Sequence, residues 1–175
     1  MKLQPHLAND LVQLRPLRPT DFDVLYRVAQ DPLIWEQHPC PDRHLPGPFS
    51  RFFEDSLHSE GALVVLESST QTIIGSSRFK PIPTAPKAIE IGWSFLARKY
   101  WGGRYNKAVK QLMIAHAFLF VEDVIFYIGP ENIRSQRAVQ KLGATLIKGE
   151  ANAHLIGEKK PDLTYRIHKA DWGLV

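Results

Sequence analysis

Glu90-Ile91-Gly92-Trp93-Ser94-Phe95-Leu96-Ala97-Arg98-Lys99-Tyr100-Trp101-Gly102-Gly103-Arg104-Tyr105-Asn106 reads as a strand that runs into a Gly-Gly turn and leaves it as a helix. Glycine lets the backbone take unusual φ/ψ values and approach a ligand closely. The first N–H groups of a helix have no partner inside it, and the helix dipole adds partial positive charge at that end. Strand, turn and helix start together form a cradle for a phosphate or diphosphate. Arg98, Lys99, Arg104 and Lys107 can add charge-assisted hydrogen bonds. A bare strand-to-helix turn would show the same glycines, so the pair alone does not choose between the two. The spacing is neither G-x-x-x-x-G-K-[ST], with its Ser/Thr for magnesium, nor G-x-G-x-x-G.

Charge points the same way. The formal charge is +4, and Arg98–Lys110 carries five cations and no acid; without them the sum falls to −1. One concentrated patch suits a compact polyanion. A nucleic-acid surface would spread its basic residues more widely, so no nucleic acid is expected as a partner. The 175 residues and 44% apolar content fit a single domain. One cysteine, Cys40, excludes an intramolecular disulfide and a multi-cysteine metal site, and suggests a reducing, cytoplasmic setting. The opening residues lack the apolar stretch of a signal peptide, and no run nears the ~18 apolar residues of a membrane span.

Outward from the Gly-Gly turn, periodicity predicts about seven strands and four helices. Leu11–Leu17 alternates as a half-buried strand does. Thr20 with Asp23 reads as a capping box, and Phe22, Leu25, Tyr26 and Ala29 share one helical face that stops before Pro32. Five prolines between 32 and 48 make a stiff, long connection, which is often functional in a small domain. A second helix is expected over Pro48–Ser59. Ala62–Glu67 and Thr72–Phe79 read as a hairpin, Ala88–Leu96 as the next strand, and Gly103–Val121 as a long helix. Val124–Ile128, a helix over Glu131–Leu142, and strands over Ala144–Gly149 and Leu163–His168 complete an α/β (α+β) single domain with a mixed central sheet.

The second informative stretch runs from Tyr127 to Ala144. A short apolar strand ends at Gly129-Pro130, and Asn132, Ser135, Val139 and Leu142 form one stripe of the following helix, closed by Gly143. Asn132 and Ser135 are also residues that favour helix starts on their own account.

Together these stretches resemble the acetyl-CoA-binding motifs of the GNAT superfamily. Trp101-Gly102-Gly103-Arg104-Tyr105-Asn106 is similar to its pyrophosphate loop, [Q/R]-x-x-G-x-[G/A]. Asn132-Ile133-Arg134-Ser135 through Lys141-Leu142-Gly143-Ala144 resembles the N-x-x-S…K-x-G-A ending of the ribosomal-protein alanine acetyltransferase (RimJ/RimL-like) branch. Leu14-Arg15-Pro16-Leu17-Arg18-Pro19-Thr20-Asp21 resembles that branch's first strand and turn. The likeness spans residues 10–168, with 1–9 and 169–175 as terminal extensions. Arg104 stands where the family has its central glycine, Trp101 where it has Gln or Arg, and Val139 where many relatives have an acidic tyrosine.

The resemblance implies transfer of acetyl from acetyl-CoA to a primary amine by direct attack, the acceptor being a protein N-terminus or a small amine. It implies cofactor contacts from Phe95, Ala97, Arg98, Trp101, Gly102, Gly103, Arg104, Tyr105, Asn106, Asn132 and Ser135, with Phe95 and Ala97 offering backbone groups to the pantetheine amides. An ammonium has no lone pair, so a base is needed, and a carboxylate serves. Glu90 is the candidate; its other reading is a sheet carboxylate paired with Lys87 or Arg78. Ser135 and Tyr127 are candidate hydroxyls for the thiolate, Tyr127 equally a core aromatic. A non-catalytic acyl-CoA-binding module and a ribosome-surface binder are the competing classes. His38, Cys40 and His44 lack a fourth ligand, so no metal is expected; Trp35 and His38 are read as shaping the acceptor pocket. His116, Trp93 and Trp172 are read as packing residues. No membrane partner is expected, and homodimerisation is left open.

Overall fold

The computed structural model describes residues 1–147 and 162–173. Among them the chain forms β1 (Leu7–Ala8), β2 (Val12–Pro16), α1 (Phe22–Ala29), α2 (Pro46–His58), β3 (Ala62–Glu67), β4 (Ile73–Pro81), β5 (Ala88–Leu96), α3 (Arg104–Ala117), β6 (Asp123–Ile128), α4 (Ile133–Gln140), β7 (Thr145–Leu146) and β8 (Leu163–His168). The strands make one mixed sheet in the order β1-β2-β3-β4-β5-β6-β8-β7. Only β5 and β6 run parallel, so α3 is the crossover that a parallel pair requires.

β3 shows how this sheet is covered on both faces. Ala62–Leu66 are all buried. Leu63 and Val65 pack with Met113 and Ile114 of α3, whereas Ala62, Val64 and Leu66 pack with Phe49 and Phe53 of α2 and Leu25 of α1. Successive side chains of a strand point to opposite faces, so one apolar run supplies two cores.

Several boundaries differ from the sequence expectation for local reasons. β1 is an eighth strand, pairing Leu7 with Leu14 and Ala8 with Gln13; two residues are too few to show a period. Thr20 does not cap α1. Pro19–Asp21 is a 3-10 turn; Asp21 stands at the N-cap of α1 without a side-chain cap bond, and its carboxylate instead accepts the Arg18 N–H at 2.8 Å and both Arg15 guanidinium N–H groups at 2.7 and 2.8 Å. Burial pushes the Asp21 carboxyl up, but these hydrogen bonds outweigh it and hold the group below its ordinary range. α3 ends at Ala117 rather than Val121, because Phe118 already closes the helix and Val121 and Glu122 lead into β6. α4 begins at Ile133 behind Asn132, two residues later than expected. Of the expected strand Ala144–Gly149, Thr145–Leu146 is observed as β7, and residues 148 and 149 lie outside the described residues.

Two irregularities of β5 position the site. β5 and β6 pair only at Ala88↔Asp123, Ile89↔Val124 and Glu90↔Ile125, so beyond Glu90 the two strands part. Against β4, Arg78 faces Gly92 but Ser76 faces Phe95, which leaves one extra residue in β5, with Trp93 at φ 52°. Such a bulge bends its strand and re-aims side chains. Before it, Ile89 and Ile91 lie in the core under α3. After it, Trp93 and Phe95 join the core under α1 and α2, and Ser94 meets α3.

Candidate active site

A cavity of about 470 Å³ lies between the end of β5, the start of α3 and the start of α4. Gly102 turns the chain here with φ 67°, and a β-carbon on it would meet nothing within 4 Å. Gly103, at the N-cap of α3, lines the cavity and supplies no side-chain cap to the first amides of the helix. Trp101 is fixed by its indole N–H, which donates to the Leu96 carbonyl at 2.8 Å. The Arg134 guanidinium lies 3.9 Å from the Trp101 ring centroid and donates to the Ile34 carbonyl at 2.9 Å. Lys107, Arg134, Arg137 and Lys141 all line this cavity, and among the described residues no Asp or Glu does. A helix N-terminus facing cations without acids is an environment for a polyanion.

Phe95, Trp101, Gly102, Gly103, Asn106, Asn132 and Ser135 line this cavity together. Ala97, Arg98, Arg104 and Tyr105 do not. Arg98 forms an ion pair with Asp31, Arg104 is exposed, and the Tyr105 hydroxyl donates to Glu67 at 3.0 Å, next to the Tyr100 hydroxyl at 3.1 Å.

A second cavity of about 380 Å³ shares Ser94, Asn106, Asn132 and Ser135 with the first and continues past the point where β5 and β6 part. Glu90 and Tyr127 line it. Glu90 is only 7% exposed, and among the described residues no group pairs with its carboxyl. Burial pushes its pKa up to about 7, against the pull of Lys80 and Arg78. The expected alternative pairings are taken up elsewhere: Lys87 bonds Glu122 at 2.9 Å, and Arg78 donates to Ser56. Asn132 is buried and caps α4 by accepting the Ser135 N–H at 3.1 Å, which holds Ser135 at the junction of the two cavities. Val139 lines the second cavity too.

Sequence reasoning missed Arg134, Arg43, Lys80 and Lys110. Lys110 carried a signal: it follows Asn106 by four residues and precedes Met113 and Ile114 by three and four, which places a cation in the apolar stripe of α3. Trp93, expected as a packing residue, is half-buried and forms a wall of the second cavity. Trp172 packs on Phe118 and His116 reaches the Lys2 carbonyl. The Cys40 N–H donates to His38 Nδ1 at 2.9 Å, and His44 bonds the Pro41 carbonyl. Among the described residues no three His, Cys, Asp or Glu side chains gather as a metal site, and no helix is long and apolar enough to cross a membrane.

A sequence profile of the acetyltransferase (GNAT) domain matches residues 12–145. No curated protein matches the chain. Among solved structures, a GCN5-related N-acetyltransferase from Brucella melitensis superposes with a TM-score of 0.79 at 17% identity, covering 97% of this chain and 80% of that one. Mycobacterium smegmatis RimJ, solved with CoA-disulfide, gives 0.70 at 16% identity over 95% and 87%. A protein assigned as a ribosomal-protein-serine acetyltransferase from Vibrio cholerae gives 0.74 at 19% identity over 96% and 99%. At these identities the superpositions speak to the fold, which they share with the RimJ/RimL-like branch, and the sequence profile carries the assignment. The glycine turn at the start of α3, the parting of β5 from β6 and the profile match over most of the length agree: the chain belongs to the GNAT acetyltransferase family.

Proposed function

We propose that the protein transfers an acetyl group from acetyl-CoA to a primary amine. The observation that carries this reading is the meeting of the two cavities at Ser94, Asn106, Asn132 and Ser135, one with cations and, among the described residues, no acid in its lining and the other with the buried Glu90 carboxyl. The residues present fit acetyl-CoA. Gly102 offers space and a left-handed turn, the amides at the start of α3 offer donors, and Arg134 and Lys107 offer charge for phosphates. The side chains of Arg98 and Tyr105 are engaged by Asp31 and Glu67, so these two residues, like Ala97, enter the contact set through their main-chain groups alone. The edge of β5 beyond Glu90 has no partner strand on the β6 side, so a pantetheine arm would be held there as an added strand.

Acetyl-CoA supplies the activated acyl group. Glu90 accepts the proton of the incoming ammonium; with a pKa near 7 it is matched to neutral pH. Ser135, and behind it Tyr127, provide hydroxyls on the thiol side. Asn132 holds Ser135 in place through its cap and has its amide NH2 left to donate. The lone Cys40 fits a reducing, cytoplasmic compartment.

Calorimetry with acetyl-CoA, followed by thiol release with a panel of primary amines, tests the proposal. Binding with thiol release supports it. Binding without release for any amine would favour the other reading, a non-catalytic acyl-CoA-binding module, which Val139 at the usual tyrosine position favours.

A further inference from the structure

Among the described residues the second cavity holds more positive charge than its acids balance. Arg43, Lys80 and Lys110 line it, and Arg78 stands directly behind Trp93. Arg43 and Lys80 belong to the α2 side of the sheet, and Lys110 reaches the cavity from α3. Among the described residues none of these four cations forms an ion pair. Aromatic rings separate them instead. The Arg43 guanidinium lies 5.6 Å from the Trp35 centroid and 4.7 Å from Phe52; Arg78 lies 6.0 Å from Phe52 and 4.4 Å from Trp93; Lys80 Nζ lies 5.4 Å from Trp93. Cations and rings thus alternate along one wall.

Rings compensate buried guanidinium groups only in part. A desolvated cation–π contact is worth about 2 kcal/mol, while taking an ion out of water costs several. The shortfall is visible at Arg78. It is 6% exposed, one Nη donates to Ser56, and its Nε is buried with no acceptor. Burial also lowers the pKa of both arginines, that of Arg78 to about 10. Among the described residues the acids on this side are Glu90 and Asp162 in the wall, with Asp42 and Asp55 further off. Lys80 and Glu90 are directly opposite across β4 and β5, yet no ion pair joins them. The wall therefore retains an unmatched positive face within the same 380 Å³ as the proposed base.

We propose that this wall binds a carboxylate of the acceptor, so that the acceptor is an amine carrying a carboxylate a few bonds away, held by the cations of this wall while its amine faces Glu90. The word acceptor rests on the transferase reading; the carboxylate site itself does not. A carboxylate on a guanidinium or an ammonium makes the strong, charge-assisted class of hydrogen bond. The chemistry has two sources, a free amino acid or the N-terminal residue of a peptide with an acidic side chain.

The test is calorimetry on the full chain saturated with CoA. The probes are β-alanine, 4-aminobutyrate and the peptide amide Asp-Ala-NH2, each against its uncharged partner: β-alaninamide, 4-aminobutyramide and Asn-Ala-NH2. We expect the charged member of at least one pair to bind tenfold or more tighter, and Lys80→Met and Arg43→Leu each to cut that preference at least threefold. Lys80 is exposed, so its variant keeps the fold even if the Arg43 change does not. The first two pairs read the free amino acid and the third the peptide. Equal affinity within all three pairs, no binding of any carboxylate, or a preference unchanged in Lys80→Met would overturn the proposal. Carboxylate preference without thiol release would sink the transferase reading and leave this site standing; thiol release without preference would do the reverse.

Discussion

Lys110 Nζ lies 2.5 Å from Ser94 Oγ, which ties the second turn of α3 to the residue just past the β5 bulge. Ser77 Oγ is a further acceptor at 3.4 Å, the Phe126 ring centroid is 5.6 Å away, and no carboxylate pairs with the amine. Lys110 is 5% exposed, and burial pulls its pKa down to about 7. A buried cation held only by two hydroxyls and a ring is a standing cost to the fold, and its size depends on pH.

The sign follows from linkage. Above pH 10.5 the lysine is neutral both folded and unfolded, and the cost is absent. As pH falls from 10.5 to 7 the unfolded chain takes up the proton and the folded one does not, so stability declines; below 7 the cost is constant. Lys110→Met should therefore stabilise the protein by a few kcal/mol, roughly 3–5, at pH 6–7, and by much less near pH 10. Chemical denaturation of both proteins across pH 6–10 measures this. A difference that does not change with pH would show that the amine is ordinary.

Glu90 has the opposite slope. Its folded pKa is raised from 4.5 to about 7, so the ionised unfolded chain gains on the folded one as pH rises through that window, and the cost is full above 7. Glu90→Gln should be the more stable protein at pH 7.5 and equal to the parent near pH 4. Its activity should fall about a hundredfold at neutral pH, with loss of the ascending limb near pH 7 and a smaller deficit at high pH, where free amine is plentiful. An equal loss at every pH would remove Glu90 as the base.

Gly102 separates backbone strain from charge. Its φ of 67° suits Asn and Asp better than other side chains, and a side chain there meets open space. Gly102→Asn should keep most of the affinity for CoA, and Gly102→Asp should lose tenfold or more by placing an anion in the cradle. Calorimetry with CoA distinguishes them; equal behaviour would mean that the phosphates lie elsewhere.

Arg134 combines stacking on Trp101 with charge. Arg134→Lys retains the charge but not the planar stack, and the two residues are not interchangeable at such a site. We expect Arg134→Lys to weaken CoA binding about threefold and Arg134→Met about tenfold, the latter with a shallower salt dependence. Unchanged affinity in Arg134→Met would remove this arginine from the phosphate contacts.

The fold was legible where residues obey a period or a turn rule. Strand Ala88–Leu96 and the Gly102-Gly103 turn were readable for that reason, as was the stripe from Asn132 to Leu142. The second cavity was not. Arg43, Arg78 and Lys80 come from a proline-rich connection and a hairpin strand, Phe52 reaches between the two arginines from α2, and the bulge at Trp93 brings a second ring between Arg78 and Lys80. A bulge shifts every later side chain to the other face, and an alternation read through Gly92-Trp93-Ser94 gives the wrong one. The side-chain partners of Arg98 and Tyr105 were hidden as well. Both residues sit beside the glycines in sequence, but Asp31 and Glu67 draw their side chains away.

The three rungs between β5 and β6 also have a mechanical meaning. The sheet is two panels, β1–β5 and β6–β8, joined along a short seam and parted beyond Glu90. A pantetheine chain lying in that opening would act as a strut between the panels. Slower amide hydrogen exchange in β5 from Ile91 to Phe95 and in β6 near Ile128 would then mark the cosubstrate as part of what stiffens the enzyme.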